Sequence, residues 1–495
     1  MGGSFNLVSE PWIAMRTAHG TIEEVSLRDA FHRAGDFQGL AGEIPTQQAA
    51  VLRLLLAIEL RATARKRTED EALRQWARWW QGEQLPLDEI DSYLDKHRDR
   101  FDLLEAHQPF MQVADLHTAK GGTSGLTKLI ADVPAGHKFF TTRDGAGIQR
   151  LSLAEAARWL VYTHAFDISG IKSGAVGDDR VKRGKGYPIG IGISGWMGLV
   201  IAEGATLRET LLLNLVLPTD PTLDSAAWER DPHDAGEDWL HSQPTGTADL
   251  YTWQSRRVRL IQAGGQITDA LVCNGDALGA QNLQALEPLS GWRYSKPQSK
   301  KLKQDVYMPR GHQTGRALWR GLEPLLIKTK PGAEWLRPPL LDWLAALRDA
   351  DELGRDLPIR LRAIGVEYGS QSAVVASTID DALPMSLAVV GEGALGQLAV
   401  DAAQAAQDSV IRLANLGSDL AKAAGTEETA EREHAFQAGY NALDPLFRRW
   451  FETLRSDTSP GLASSQWHTI LRRSLTDVGA QLCRDAGEAA MRGRL

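Results

Sequence analysis

The chain has 495 residues, 43% of them hydrophobic and 24% charged, with a formal net charge of -8 and two cysteines, Cys273 and Cys483. That is apolar material for two or three packed domains. It excludes a disulfide framework and closely spaced zinc-binding thiols. Overall acidity argues against a free-standing DNA-binding protein but leaves room for local basic patches. No basic head followed by a long apolar run opens the sequence, and the longest apolar stretches, 211–217 and 385–390, are too short to span a bilayer. The expected location is the cytoplasm, with no membrane partner.

In chain order, "FNLVSEPWIAMRTAHGTIEEVSLRDAF" reads as short strands about a turn at His19-Gly20, then a helix capped by Ser26 with Asp29 in its first turn. Thr46 is the expected cap of a second helix over 47–65, and 73–80 begins a third. Its "WARWW" cluster suits packing better than base stacking. His107 sits in a turn beside a proline. Residues 121–147 are aperiodic and read as loop. Ser152 and Glu155 stand at capping-box spacing and open a helix over 153–163. Nine glycines between 170 and 198 make "DISGIKSGAVGDDRVKRGKGYPIGIGISGWMG" the least ordinary segment. Such density costs backbone entropy and permits close backbone approach or unusual dihedrals. Residues 210–216 read as a buried helix or strand, and the acidic run 220–238 as a solvated loop. "RVRLIQAGGQITDALVC" alternates about Gly264-Gly265, as a hairpin does. From 293 to 337 there are eleven Lys or Arg against three Asp or Glu, with Trp292, Tyr294, Tyr307 and Trp319 in or beside the run. Residues 360–363 read as a strand feeding "GVEYGSQSA". Beyond 377 the texture is helical: 399–415, 431–455 with Pro445 as a kink or break, 467–487, and a fourth helix over 382–396. The predicted domains are 1–370 and 380–495.

No catalytic centre is legible. Gly190, Gly192 and Gly195 match G-x-G-x-x-G, but no strand precedes them and no repeated strand–helix unit surrounds them, so a dinucleotide site is disfavoured. There is no phosphate-loop lysine motif, HExxH or G-x-S-x-G. His233 lies within the acidic run and His241 just beyond it; chance placement at the surface accounts for them better than a metal does. The basic glycine-rich segment and the run 293–337 offer side chains and amides to phosphate, with a solvated basic face or an acidic protein partner as the alternatives.

Several motifs in order give the chain a family resemblance: "FNLVSEPWI", "HQPFMQV", "GIKSGAVGDDRVKRGKGYPIG", "TLRETLLLNL", "YTWQSRRVRL", "YMPRGHQTGRALWRGLEPLL" and "GVEYGSQSA". Across nearly its full length it resembles the large subunit of type I-E Cascade, the CRISPR surveillance complex of bacteria. The resemblance implies a large mixed α/β (α+β) N-terminal domain followed by an all-α four-helix bundle. It implies a non-catalytic subunit without cofactor that recognises the short motif adjacent to the target in double-stranded DNA and promotes duplex opening. Its implied partners are the guide RNA, the other Cascade subunits including the small helical one, and a helicase–nuclease effector. Three segments carry the implied DNA contacts: Gly190, Gly192 and Gly195 as the glycine loop; Lys296, with Lys300 and Lys301, as the lysine loop; and Ser370, Gln371 and Ser372 as a polar hairpin with Gln371 the wedge. A further loop, 121–143, matches one that reaches toward the guide, through Phe139 or Phe140 by insertion or stacking and through Lys138 and Arg143 by phosphate contact. Some relatives carry a cysteine-rich zinc element after the region matching 253–260; only Cys273 stands here, so no zinc is expected. A scaffold binding proteins alone, and an enzyme with a motif-poor site, are the competing readings.

Overall fold

Helix Pro45–Ala62 is the spine of the larger unit, buried along almost its whole length. Pro45, not Thr46, opens it: Ile44 is the cap residue and Pro45 takes the first turn, where its missing N–H costs nothing. Thr46 is fully buried one residue further in. The computed structural model describes residues 3–131, 133, 143, 146–329, 332–391 and 393–492. They divide into two compact units: Met1–Thr314 with Pro338–Leu340 and Arg362–Asp380, and Gly315–Arg337 with Leu341–Leu361 and Asp381–Leu495.

In the first unit, strands Ile22–Val25, Ile13–Thr17 and Phe37–Leu40 form an antiparallel sheet in that order. The turn at His19-Gly20 joins the first pair, with Gly20 at φ 79°. Ser26 caps the following helix by accepting from the Asp29 amide. Helix Glu69–Gln81 starts on a Thr68/Glu71 capping box. Its Trp76 is fully buried, donates to the Leu212 carbonyl at 2.7 Å and stacks on Trp80 at 5.2 Å. The tryptophan cluster is therefore packing. The predicted hairpin is present as Arg256–Ala263 paired with Gln266–Asn274; Gly264 and Gly265 both adopt the positive φ that its two-residue turn requires. Another three-stranded sheet takes the strand order Val375–Ser386, Pro358–Tyr368, Leu199–Glu203, of which residues 375–380, 362–368 and 199–203 belong to this unit. Arg362 bolts it by pairing with Glu203 at 3.0 Å and Asp380 at 2.6 Å.

The acidic run 220–238 is not simply solvated. Asp224 is buried and accepts the Ala248 and Asp249 amides, Glu229 pairs with Arg61 at 2.7 Å, and Trp228 lies in the core. His233 and His241 are interior as well. His241 pairs with Asp249 at 2.7 Å and stacks on Trp253, while Arg257 contacts both His233 and Asp276. Distant cations, invisible in the local composition, draw this loop inward.

The second unit is dominated by helices Ala394–Ala424, Glu428–Glu452 and Pro460–Arg492. Gly417 and Ala435 let the first two approach: a Cβ on Gly417 would lie 2.7 Å from Ala435 Cβ. Pro445 sits inside the second helix without ending it. Trp467 is fully buried and donates to the Ala402 carbonyl at 2.9 Å. The segment 382–396, expected as a fourth helix, is the end of strand Val375–Ser386 and a short 3-10 turn before Ala394. The fold class stands: helices mixed with small antiparallel sheets, then a helical C-terminal region. Among the described residues no helix is long and apolar enough to cross a membrane.

Candidate nucleic-acid interface

The predicted glycine segment and polar hairpin meet at one place, the C-terminal end of helix Leu153–Phe166. The helix begins on the expected capping box, with Glu155 N to Ser152 Oγ 3.1 Å and Ser152 N to a Glu155 carboxylate oxygen 2.9 Å. Its last carbonyls need partners from elsewhere. Phe166 O accepts the Tyr368 hydroxyl at 2.7 Å, and Asp167 O accepts the Gly192 amide at 2.9 Å. Just beyond, the Ser169 amide donates to Ser372 O at 2.8 Å.

The three glycines differ in what they approach. Gly192 is buried, and a Cβ there would lie 2.5–2.6 Å from backbone atoms of Ala165 and Phe166. Gly195 is also buried, and a Cβ would overlap the Tyr368 hydroxyl. For these two, the close approach that glycine permits is to the protein itself. Gly190 is partly exposed at φ 112°, with open space where a Cβ would stand. It is the one of the three that leaves room for an outside backbone.

Strands Pro358–Tyr368 and Val375–Ser386 carry the hairpin tip between them. The Gly369 amide bonds Val374 O at 2.9 Å and closes the turn. Within it Gln371 and Ser372 both have φ 54°, a left-handed conformation that side chains other than Gly, Asn and Asp seldom adopt. Ser370 and Gln371 are exposed, and the Gln371 side chain makes no hydrogen bond among the described residues. The glutamine is therefore held out by its backbone.

Lys296, Lys300 and Lys301 lie exposed on the short helix Lys296–Leu302. Strands Trp292–Tyr294 and Tyr307–Pro309 support it, antiparallel, with a fully buried Trp292 and a Tyr294–Tyr307 edge contact at 5.6 Å. This excursion is tied to the end of the glycine segment: Ser290 bridges Leu199, and His312 contacts Leu199 O at 3.0 Å.

Sequence reasoning missed the residues beneath these segments. Asp167 accepts from Arg256 Nε and pairs with Lys172 at 2.5 Å. Arg256 Nη2 also donates to Ile168 O at 2.9 Å and Gly190 O at 2.8 Å. All three side chains are less than a tenth exposed. Burial alone would raise the Asp167 carboxyl, but Lys172 and Arg256 hold it below the usual value; burial lowers the Lys172 ammonium despite its partner. Both Asp167 and Arg256 stand in segments singled out on other grounds, "DISGIKSG" and "SRRVRL"; no local signal joined them.

Lys138, Phe139 and Phe140 lie outside the described residues. Arg143 is described: its side chain is 10% exposed and engaged with Glu43 and, at 3.3 Å, Glu155. Phosphate contact by Arg143 would have to compete with those carboxylates. Among the described residues no cluster of three or more His, Cys, Asp or Glu is placed to hold a metal. Cys273 is buried on its strand, and burial pushes its thiol up to about 12.

The family model of CRISPR-associated protein Cse1 matches residues 6–478. A curated CasA/Cse1 protein of Thermus thermophilus is 28% identical, covering 98% of this chain and 94% of its own. The crystal structure of Thermobifida fusca Cse1 is 43% identical with a TM-score of 0.91, covering 99% of this chain and 94% of that one. That of Acidimicrobium ferrooxidans Cse1 is 30% identical with a TM-score of 0.83, covering 99% and 97%. With a match over nearly the whole length and the same fold, the chain belongs to the CRISPR-associated Cse1/CasA family, that of the type I-E Cascade large subunit.

Proposed function

We propose that this chain, working inside the RNA-guided complex, recognises the motif adjacent to the target in double-stranded DNA and starts the opening of the duplex. It acts by binding, not by catalysis. Gln371 is the wedge, inserted beside the adjacent motif where the first base pairs must part. Lys296, aided by Lys300 and Lys301, contacts phosphate. Gly190 allows backbone to approach the shallow minor groove, whose readout is permissive; Gly192 and Gly195 serve by seating that segment against the protein. Opening costs a few kcal/mol per step, offset by protein contact and then by guide pairing. The same reading gives the chain the guide RNA, the other Cascade subunits and the helicase–nuclease as partners. It leaves Lys138, Phe139 and Phe140 as guide-facing or assembly residues.

One observation carries the reading: an exposed glutamine on a hairpin tip whose backbone is forced left-handed at two consecutive non-glycine positions. Such conformations persist where the surroundings over-determine them and cluster at functional sites. The test is Gln371→Ala in the assembled complex, measured on closed duplex and on the same target already unpaired beside the motif. A wedge requires a larger defect on the closed duplex; equal defects, or none, would remove the role.

A further inference from the structure

We infer that Arg256, clamped to Asp167, is a positioning residue that makes the glycine segment and the hairpin tip one rigid body and so sets where Gln371 stands. The inference rests on the reading of Gln371 as the wedge. Arg256 is 1% exposed. Its guanidinium is spent on four acceptors: the Asp167 carboxylate through Nε, Ser255 O through Nη1, and Ile168 O and Gly190 O through Nη2. One planar fork thus fixes both the glycine segment, at Gly190, and the strip 167–168.

That strip runs directly into Ser169, whose amide holds the Ser372 carbonyl at 2.8 Å. From the other side Asp167 O receives the Gly192 amide, and Phe166 O receives the Tyr368 hydroxyl at the base of the hairpin tip. A turn with two left-handed non-glycine residues needs such external ties to stay in one conformation. A lysine keeps the charge but has no fork and cannot meet a carboxylate and three carbonyls in fixed directions. The cluster also holds two cations, Arg256 and Lys172, against the single Asp167 carboxylate.

The experiment uses the assembled complex carrying wild type, Arg256→Lys, Gln371→Ala or both, on the closed duplex and on the target unpaired beside the motif. Arg256→Lys is expected to slow opening of the closed duplex by about tenfold, to leave the pre-opened target within about twofold, and to add little to Gln371→Ala, as coupled residues do. If Gln371→Ala is selective for the closed duplex while Arg256→Lys matches wild type, lowers both substrates equally or adds its full effect to Gln371→Ala, the positioning role is wrong and the wedge stands. If Gln371→Ala shows no selectivity, the wedge itself is wrong. Should Arg256→Lys fail to assemble, Asp167→Asn, which keeps the size of the side chain but removes the carboxylate charge that clamps the guanidinium, is held to the same outcomes.

Discussion

The amide of Ser169 donates to the carbonyl of Ser372 at 2.8 Å, tying the residue that follows a helix end to a hairpin tip far away in the chain. Ser372 is itself left-handed, so the bond grips the tip at one of its two left-handed residues. The neighbouring Tyr368 makes the matching tie to Phe166 O at 2.7 Å. Together they place the exposed Gln371 over the end of helix Leu153–Phe166, where Gly192 also docks.

Gly195→Ala should loosen this seat. The added methyl would overlap the Tyr368 ring and hydroxyl and drive them from Phe166 O. Overpacking of this kind costs about 1–3 kcal/mol. The expected result is a lower unfolding midpoint, partly restored in Gly195→Ala/Tyr368→Phe, where loss of the hydroxyl makes room. Thermal unfolding of the four proteins checks it; additive losses in the double variant would refute the collision.

Where a signal is local, the sequence carries it. Ser26 with Asp29, Ser152 with Glu155, and Gly264-Gly265 between alternating strands each act within a few residues, and each appears as read. The segment 382–396 reads as helix because its Ala and Leu content suits one, while pairing with Pro358–Tyr368 makes its first residues strand. The acidic run looks solvated because Arg61, which pairs with Glu229, lies far away in the chain. Of the candidate site, the three segments stand out in the sequence, but the meeting of the glycine segment with the hairpin tip does not. Asp167 and Arg256 join through tertiary structure alone, and the burial of Gly192 and Gly195 follows from helix Leu153–Phe166 ending beside them.

Glu59 should make stability depend on pH. It is fully buried on helix Pro45–Ala62 with both carboxylate oxygens lacking a hydrogen-bond partner. Burial raises it from the ordinary 4.5 to about 8. The unfolded chain releases this proton near the ordinary value and the folded protein holds it to about 8. Between those values the folded state binds more protons, so stability contributed here falls as pH rises and is lost above the folded value. Glu59→Gln, neutral throughout, should remove that decline and stabilise the protein by roughly a few kcal/mol at pH 9. Denaturant unfolding at pH 6 and pH 9 tests this; an equal effect of the substitution at both would contradict it.

Lys296→Ala should weaken binding of the adjacent motif equally on closed and pre-opened targets, since a phosphate contact does not depend on strand separation. Removing one such contact should reduce the slope of log affinity against log salt by about 0.9. Titrations of the assembled complex at several salt concentrations read both quantities. A defect confined to the closed duplex, or an unchanged salt slope, would take Lys296 out of the phosphate role.

Gln371→Gly separates stability from function at the hairpin tip. Glutamine at φ 54° sits where its Cβ is disfavoured, and glycine occupies that region freely. Removing the conflict should stabilise the native turn by about 1 kcal/mol, less the entropy that glycine adds to the unfolded chain. The side chain proposed to enter the duplex is lost at the same time. The variant should therefore unfold no earlier than wild type, assemble normally, and open closed duplex as poorly as Gln371→Ala while acting normally on a target already unpaired. Unfolding midpoints set beside opening rates on the two substrates decide the matter. A variant less stable than wild type would show that the Gln371 side chain, and not the ties through Ser169 and Tyr368, holds the tip in place; a variant that opened closed duplex at the wild-type rate would show that the turn's shape suffices and the amide is not the wedge.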